Sequence, residues 1–222
     1  MHHFQNTAMA SILLIQADTT ASDRSLAVLG TDPSLAVCGI ARTLAEARAA
    51  LARRVPDLVI ADLCLPDGTL ATLLRELRPG RSHVLGLTLS VRDPALLGAL
   101  RAGVDACLTG DTPAERVHGV ALRMLAGESP LAPDLARRLL GVFDTVDTRP
   151  SDARQGGWQA LGRAEFEVLR CAAEGLSRGE IAERLGLSPP RVGQVARAIH
   201  RRLHRVPRPG RVRLSLAAAG CR

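Results

Sequence analysis

The sequence predicts two folds in one chain: an α/β doubly wound five-stranded parallel sheet, then a small all-α domain of four helices built on a helix-turn-helix. Three observations carry this reading. Apolar runs of four to seven residues alternate with helical stretches five times before residue 128. From Trp158 onward no strand pattern remains, and helix signals follow one another closely. Charge also divides at that point. Residues 1–157 carry 16 Arg against 17 acidic residues, whereas 158–222 carry 13 Arg against 5.

In order, residues 1–9 read as a frayed leader. Strands are expected at Ile12–Ile15, Leu35–Ile40, Leu58–Ala61, His83–Leu89 and Val104–Leu108. The intervening helices are expected at Ala21–Leu29, Leu44–Arg54, Thr69–Leu77, Pro94–Arg101 and Pro113–Ala126. These units fill a first domain over 10–128. In such sheets the working site lies at the carboxyl ends of the strands, here just after Ile15, Ala61, Leu89 and Leu108. Residues 129–157 form a linker: Pro130, Pro133 and Pro150 bracket one helical piece, Asp134–Phe143, before the polar stretch TVDTRPSDARQGG. The helical domain spans 158–222.

The charge asymmetry points to a partner. The whole net charge of +7 sits in the helical domain, the electrostatic footprint of a nucleic-acid-binding module beside a near-neutral one. Arg in place of Lys, which the chain lacks entirely, reflects genome composition; the segregation does not. Five Cys show no metal-ligand spacing, and those in strand segments are expected as small buried hydrophobes. With no secretory leader and no run of 18 apolar residues, the expected protein is reduced and cytoplasmic, without membrane contact. No Gly-rich phosphate loop, nucleophile elbow or metal-binding His/carboxylate set supports an enzyme.

The helix-turn-helix lies at Leu176–Arg205. Ser177 and Glu180 form a capping box, Gly186 ends the first helix, and Ser188 with Pro189 opens the second. Val192, Val195, Ala196, Ile199 and Leu203 then fall on one apolar stripe. This places Ser188 at the entry of a recognition helix and Arg191 and Gln194 on its first exposed turn, suited to guanine and adenine edges in a major groove. Arg197, His200, Arg201 and Arg202 read as phosphate contacts. Gly162 stands where a hydroxyl cap would open the domain's first helix, and Phe166 is expected half-buried. A last helix is expected over Arg211–Ala219.

These residues carry a family resemblance. LGRAEFEVLRCAAEGLSRGEIAERLGLSPPRV is similar to the motif of LuxR-type helix-turn-helix domains nearly position by position. PDLVIADLCLP, LTLS and RAGVDACLTGD resemble the third, fourth and fifth strands of a receiver domain. The chain thus resembles a NarL/FixJ-type response regulator, with a flavodoxin/CheY-like receiver. The resemblance places the phosphoacceptor at Asp62 and the switch hydroxyl at Thr88, and it implies dimeric DNA binding through the last helix.

The departures bear on mechanism. Receivers carry two acidic residues after the first strand, which hold Mg²⁺ with the acceptor and neutralise the transferring phosphoryl group. Here Gln16 and Ala17 fall at those positions, and a one-residue shift rescues only Asp18. The receiver lysine falls on Gly110 and the aromatic switch residue on Cys107. Asp62 is therefore read first as a strand-end carboxylate and second as a phosphoacceptor. Cys64 and Cys107 are read as core residues ahead of a thiol sensor. In the helical domain, Arg191, Gly193 and Val195 replace the family's hydroxyl residue, lysine and histidine, so no target sequence carries over.

The expected function is a sequence-specific, DNA-binding transcriptional regulator, without a cofactor and with Mg²⁺ binding in doubt. It would bind double-stranded DNA as a homodimer, its receiver controlled by dimerisation, a small ligand or a partner protein. The alternatives are a phosphorylation-switched two-component regulator acting through Asp62, and a sequestering interaction module with weak DNA binding.

Overall fold

The computed structural model describes residues 9–76, 82–90, 92–128, 130–147 and 161–204. Most of the expected leader, the polar linker from 148 onward and the helix expected over Arg211–Ala219 lie outside these residues.

Strands β1 (Ala10–Ile15), β2 (Leu35–Ala41), β3 (Leu58–Asp62), β6 (His83–Thr88) and β7 (Ala106–Thr109) form one parallel sheet in the order β2-β1-β3-β6-β7. Helices α1 (Thr19–Leu29), α2 (Leu44–Arg53), α3 (Leu70–Glu76), α4 (Pro94–Ala102) and α5 (Ala114–Leu125) connect them. Alternation along the strands assigns each face. Leu13, Ile15, Val59, Ala61 and Val84 pack with Leu44 of α2, Leu73 of α3 and Leu100 of α4. Ile12, Leu14, Leu58, Ile60 and Leu85 pack on the other side with Leu29 of α1 and Val117, Ala121 and Met124 of α5. The doubly wound expectation holds, because apolar residues on both faces of a strand require helices on both faces of the sheet.

Two local features differ from expectation. The β1–β2 register slips between Ile12 and Leu13, so Cys38 is bypassed on the edge strand and lies exposed, contrary to its reading as a buried hydrophobe. After β3 the chain makes a small antiparallel hairpin, β4 (Cys64–Leu65) with β5 (Gly68–Thr69), before α3. Gly68 turns it at φ +145, and the adjoining Asp67 carboxylate accepts from the N–H groups of Leu44 and Ala45 at the start of α2.

The helix expected within the linker is longer than the sequence indicated, α6 (Pro133–Asp147), and it is built into the core rather than free. Its Leu135, Ala136 and Leu139 are fully buried in a cluster shared with α4 and with α7 (Arg163–Ala173). Helices α8 (Arg178–Leu185) and α9 (Pro189–His204) complete the described part of the helical domain. Among the described residues no helix is long and apolar enough to cross a membrane.

Candidate functional site

Parallel strand ends bring the receiver-like residues together, as the fold requires. Asp62 ends β3, half-buried, and its Oδ2 accepts from the Ala17 N–H at 3.2 Å. Burial, reinforced by the charge of Asp18, pushes its carboxyl up to about 6, against the pull of the Ala17 N–H. Asp18 is the nearby acid, but its Oδ1 caps α1, accepting from Thr20 N–H at 2.7 Å and Ala21 N–H at 3.2 Å. Gln16 is 2% exposed, and its Oε1 has no hydrogen-bond partner among the described residues. Nor do the described residues hold any group of three His, Cys, Asp or Glu that could bind a metal.

The opposite wall belongs to Thr88 and Gly110. Thr88 is buried, and its hydroxyl lies 2.9 Å from Asp93 Oδ2 and 3.0 Å from the Ser90 carbonyl. Asp93 also caps α4, its Oδ1 accepting from Ala95 N–H at 2.8 Å. The hydroxyl is therefore committed to the loop entering α4. Gly110 is exposed, its N–H donating to the Thr88 carbonyl at 2.7 Å, and a Cβ there would sit at ordinary contact distance. The backbone thus does not impose the missing side chain.

Cys107 lies beneath this wall. Gly86 on the adjacent strand has no room for a Cβ, which would stand 2.8 Å from the Cys107 sulfur and 2.8 Å from Leu63. Burial first, and the Asp93 charge second, push the Cys107 thiol up to about 12. The thiolate that redox sensing needs is suppressed, so Cys107 is a core residue.

In the helical domain the local signals fold as read. Ser177 and Glu180 make the reciprocal capping box, with Glu180 Oε2 accepting from Ser177 N–H at 2.7 Å and Ser177 Oγ accepting from Glu180 N–H at 3.4 Å. Gly186 closes α8 in the left-handed region at φ +63. Val192, Val195, Ala196 and Ile199 of α9 are buried. Ser188, Arg191, Gln194 and Arg201 are exposed, and an Arg191 N–H donates to Gln194 Oε1 at 3.0 Å, aligning the two side chains on one face.

Three cationic positions depart from the sequence reading. His200 is 3% exposed and belongs to the interior, because it lies one turn beyond the buried Ala196. Arg202 pairs with Glu165, its Nε 2.8 Å from Oε1, while the other carboxylate oxygen accepts from Gly162 N–H at 2.7 Å. Glu165, only 8% exposed, ties the start of α7 to the end of α9, a role not visible in the sequence. Arg197 is half-buried, and its guanidinium donates to the Gly127 carbonyl at 3.1 Å.

That last bond crosses between the domains. Beside it, Glu128 accepts from Arg123 of α5 at 2.8 Å and pairs with Arg178 of α8 at 2.9 Å. Helix α9 also packs against α4, and α7 against α6. The face of α9 that carries Arg197 is thus held by the sheet domain.

No protein-family model matches the chain. It is similar to the DNA-binding transcriptional activator DevR/DosR of Mycobacterium tuberculosis, 29% identical over 182 residues that cover 81% of this chain and 82% of the relative. To the transcriptional regulatory protein UhpA of Escherichia coli it is 29% identical over 186 residues, 83% of this chain and 86% of that one. Among solved structures, the RcsB response regulator of Salmonella typhimurium aligns at TM-score 0.55 and 18% identity, over 89% of this chain and 92% of the other. A LuxR-family two-component response regulator from Aurantimonas aligns at TM-score 0.55 and 24% identity, over 60% of this chain and 97% of the other. In sequence and in fold, the chain is a homologue of the NarL/LuxR-type response regulators, a receiver-type parallel sheet followed by a LuxR-type helical domain.

Proposed function

We propose that the chain is a cytoplasmic, sequence-specific, DNA-binding transcriptional regulator whose receiver works without Mg²⁺-dependent phosphorylation of Asp62. The observation that carries the first half is the exposed face of α9. Arg191, Gln194 and Arg201 project from the second helix of a helix-turn-helix, with Ser188 exposed at its entry, in the domain that holds all the excess positive charge. Arg191 and Gln194 read base edges and Arg201 meets phosphate. Arg197 joins them once it leaves Gly127. His200 and Arg202 are withdrawn from this set because the domain uses them internally. The relatives named as DNA-binding and transcriptional regulators support the same reading.

The second half rests on the strand-end pocket. A phosphoryl-transfer site needs a metal held by several carboxylates and a cation to meet the developing charge. The residues present do not fit that metal: Asp62 has Gln16 and Ala17 beside it, and the Asp18 carboxylate is committed to capping α1. Gly110 supplies no cation, and the Thr88 hydroxyl is bound to Asp93. Control by association, a ligand or a partner protein acting on the docked domains is the regulation this pocket supports. Homodimeric binding to a two-fold DNA site goes with the proposal.

Two measurements test it. Incubation with a small-molecule phosphodonor and Mg²⁺, followed by intact mass, is expected to give no phosphoryl adduct; an adduct absent in Asp62→Asn overturns the second half. Titration with genomic DNA fragments across a salt series is expected to show log affinity falling with log salt by about 0.9 per neutralised phosphate. Absence of binding at low salt overturns the first half and favours sequestration.

A further inference from the structure

The docked domains enclose a cleft of about 700 Å³, with α5 and the segment after it on one side and α7, α8 and α9 on the other. We infer that this cleft binds an organic anion with an apolar body, and that the bound anion holds the two domains together.

Size, lining and charge each point there. The volume lies within the range of about 300–1,000 Å³ typical of small-molecule pockets, which favour domain interfaces. Val120 and Leu131 face Val168, Ile181 and Val192 across the cleft, giving it apolar walls. Its charged lining is three guanidinium groups, Arg116, Arg123 and Arg178, against the single carboxylate of Glu128. Glu128 already takes both Arg123 and Arg178, and Arg116 makes no ion pair among the described residues. The cleft therefore carries a cationic excess beside apolar walls, the complement of a carboxylate or sulfonate on a hydrocarbon or aromatic body.

The glycines supply a second, independent observation. Among the described residues five glycines lie inside helices, and three of them, Gly119, Gly179 and Gly193, line this cleft. None has a positive φ, and a Cβ on Gly119 would meet nothing within 4 Å. Glycine in a helix interior carries an entropic cost, and at Gly119 neither backbone conformation nor packing demands it. What it leaves is room in the cleft.

The anion would touch residues of both domains, so it binds the docked arrangement best. In that arrangement Arg197 is on Gly127 and Arg178 on Glu128. Any DNA that draws α9 away opens the cleft, and the two ligands therefore oppose each other by equal factors. This coupling rests on the DNA-binding reading; occupancy of the cleft does not.

The test uses the full-length protein, with 8-anilinonaphthalene-1-sulfonate as fluorescent probe and decanoate and its neutral amide as competitors. One saturable probe site is expected, displaced by decanoate. Gly119→Leu, which fills the cleft from an unobstructed position, is expected to weaken the probe by at least about ten-fold at unchanged helical circular dichroism. Arg116→Ala, at an exposed residue, is expected to weaken decanoate by about five-fold and leave the amide unchanged, which keeps the test decisive if Gly119→Leu misfolds. A bound DNA fragment is expected to weaken the probe about five-fold or more, by the same factor that the probe weakens DNA. No saturable site, or equal affinities in wild type and both variants, overturns the proposal. Saturable binding in a protein that binds no DNA upholds the site and overturns only the regulator reading.

Discussion

Asp62 is a carboxylate held where its charge is disfavoured. Its carboxyl titrates near 6 in the fold, against an ordinary 3.8, chiefly because burial removes water from the anion. Between those values the folded chain binds more protons than the unfolded chain, so stability falls as pH rises from about 4 to about 6 and is level above. The group is part-exposed and water screens it, so the expected loss is about 1–2 kcal/mol, less than the full shift would give. Asp62→Asn is expected to recover that amount at pH 7.5 and to flatten the profile, measured by urea unfolding at pH 5 and 7.5. A variant less stable than wild type at pH 7.5 would mean the carboxylate has a partner that the amide cannot replace. Thr88 behaves in the opposite sense. Its hydroxyl bridges β6 to the α4 cap, so Thr88→Val is expected to cost about 1–3 kcal/mol while Thr88→Ser keeps most of that stability. Asp62 was legible in the sequence as the residue just after an apolar run, whereas Thr88 was placed only by the resemblance of LTLS to a receiver's fourth strand, since the apolar run itself continues to Leu89. The Asp93 bond was not legible, since one aspartate in a loop carries no sign of which hydroxyl it will meet.

Helix α8 shows how far a local signal reaches. Its capping box and its left-handed glycine are both set within ten residues, and the structure forms both as the sequence indicated. Ser177→Ala is expected to cost about 1 kcal/mol, read as a lower melting temperature. Helix α9 is harder, because periodicity separates a buried stripe from its opposite face but not from its flanks. His200 lies one turn from Ala196, and Glu165 is 37 residues from Arg202. Burial of the first and pairing of the second are tertiary facts. The β4–β5 hairpin escaped for another reason: strands of two residues have no period to detect. The revised DNA face still makes a sharp prediction. Arg191→Ala is expected to relax preference at one base position, costing about 1–3 kcal/mol on the preferred fragment and little on others. Arg201→Ala is expected to weaken all fragments alike and to lower the salt slope by about 1. Equal behaviour of the two variants would remove the distinction between base and phosphate contacts.

The two domains share one continuous apolar cluster, which runs from the α2/α3/α4 face of the sheet through α6 to α7, α8 and α9. Division of charge at residue 158 marked two units in the sequence, but nothing in composition marks a shared core, which depends on how α6 folds back. Consequently the state of α9 is a property of the whole chain. Glu128 holds Arg123 and Arg178 at the junction, and those bonds, chiefly the one from Arg123, keep its carboxyl below the usual range. If the docked arrangement competes with DNA, the observed affinity is the intrinsic one reduced by the undocked fraction. A partly exposed ion pair is worth about 0–1 kcal/mol, so Glu128→Ala is expected to raise DNA affinity by up to about five-fold. Removal of an acidic group could mimic this by strengthening attraction to phosphate at long range. Asp134→Ala on α6, an exposed acid that is also paired with an arginine, provides the comparison, since its pair with Arg137 lies within one helix. A gain in Glu128→Ala that Asp134→Ala does not share, measured by fluorescence anisotropy at matched salt, locates the competition at the junction. Equal gains would assign it to charge alone.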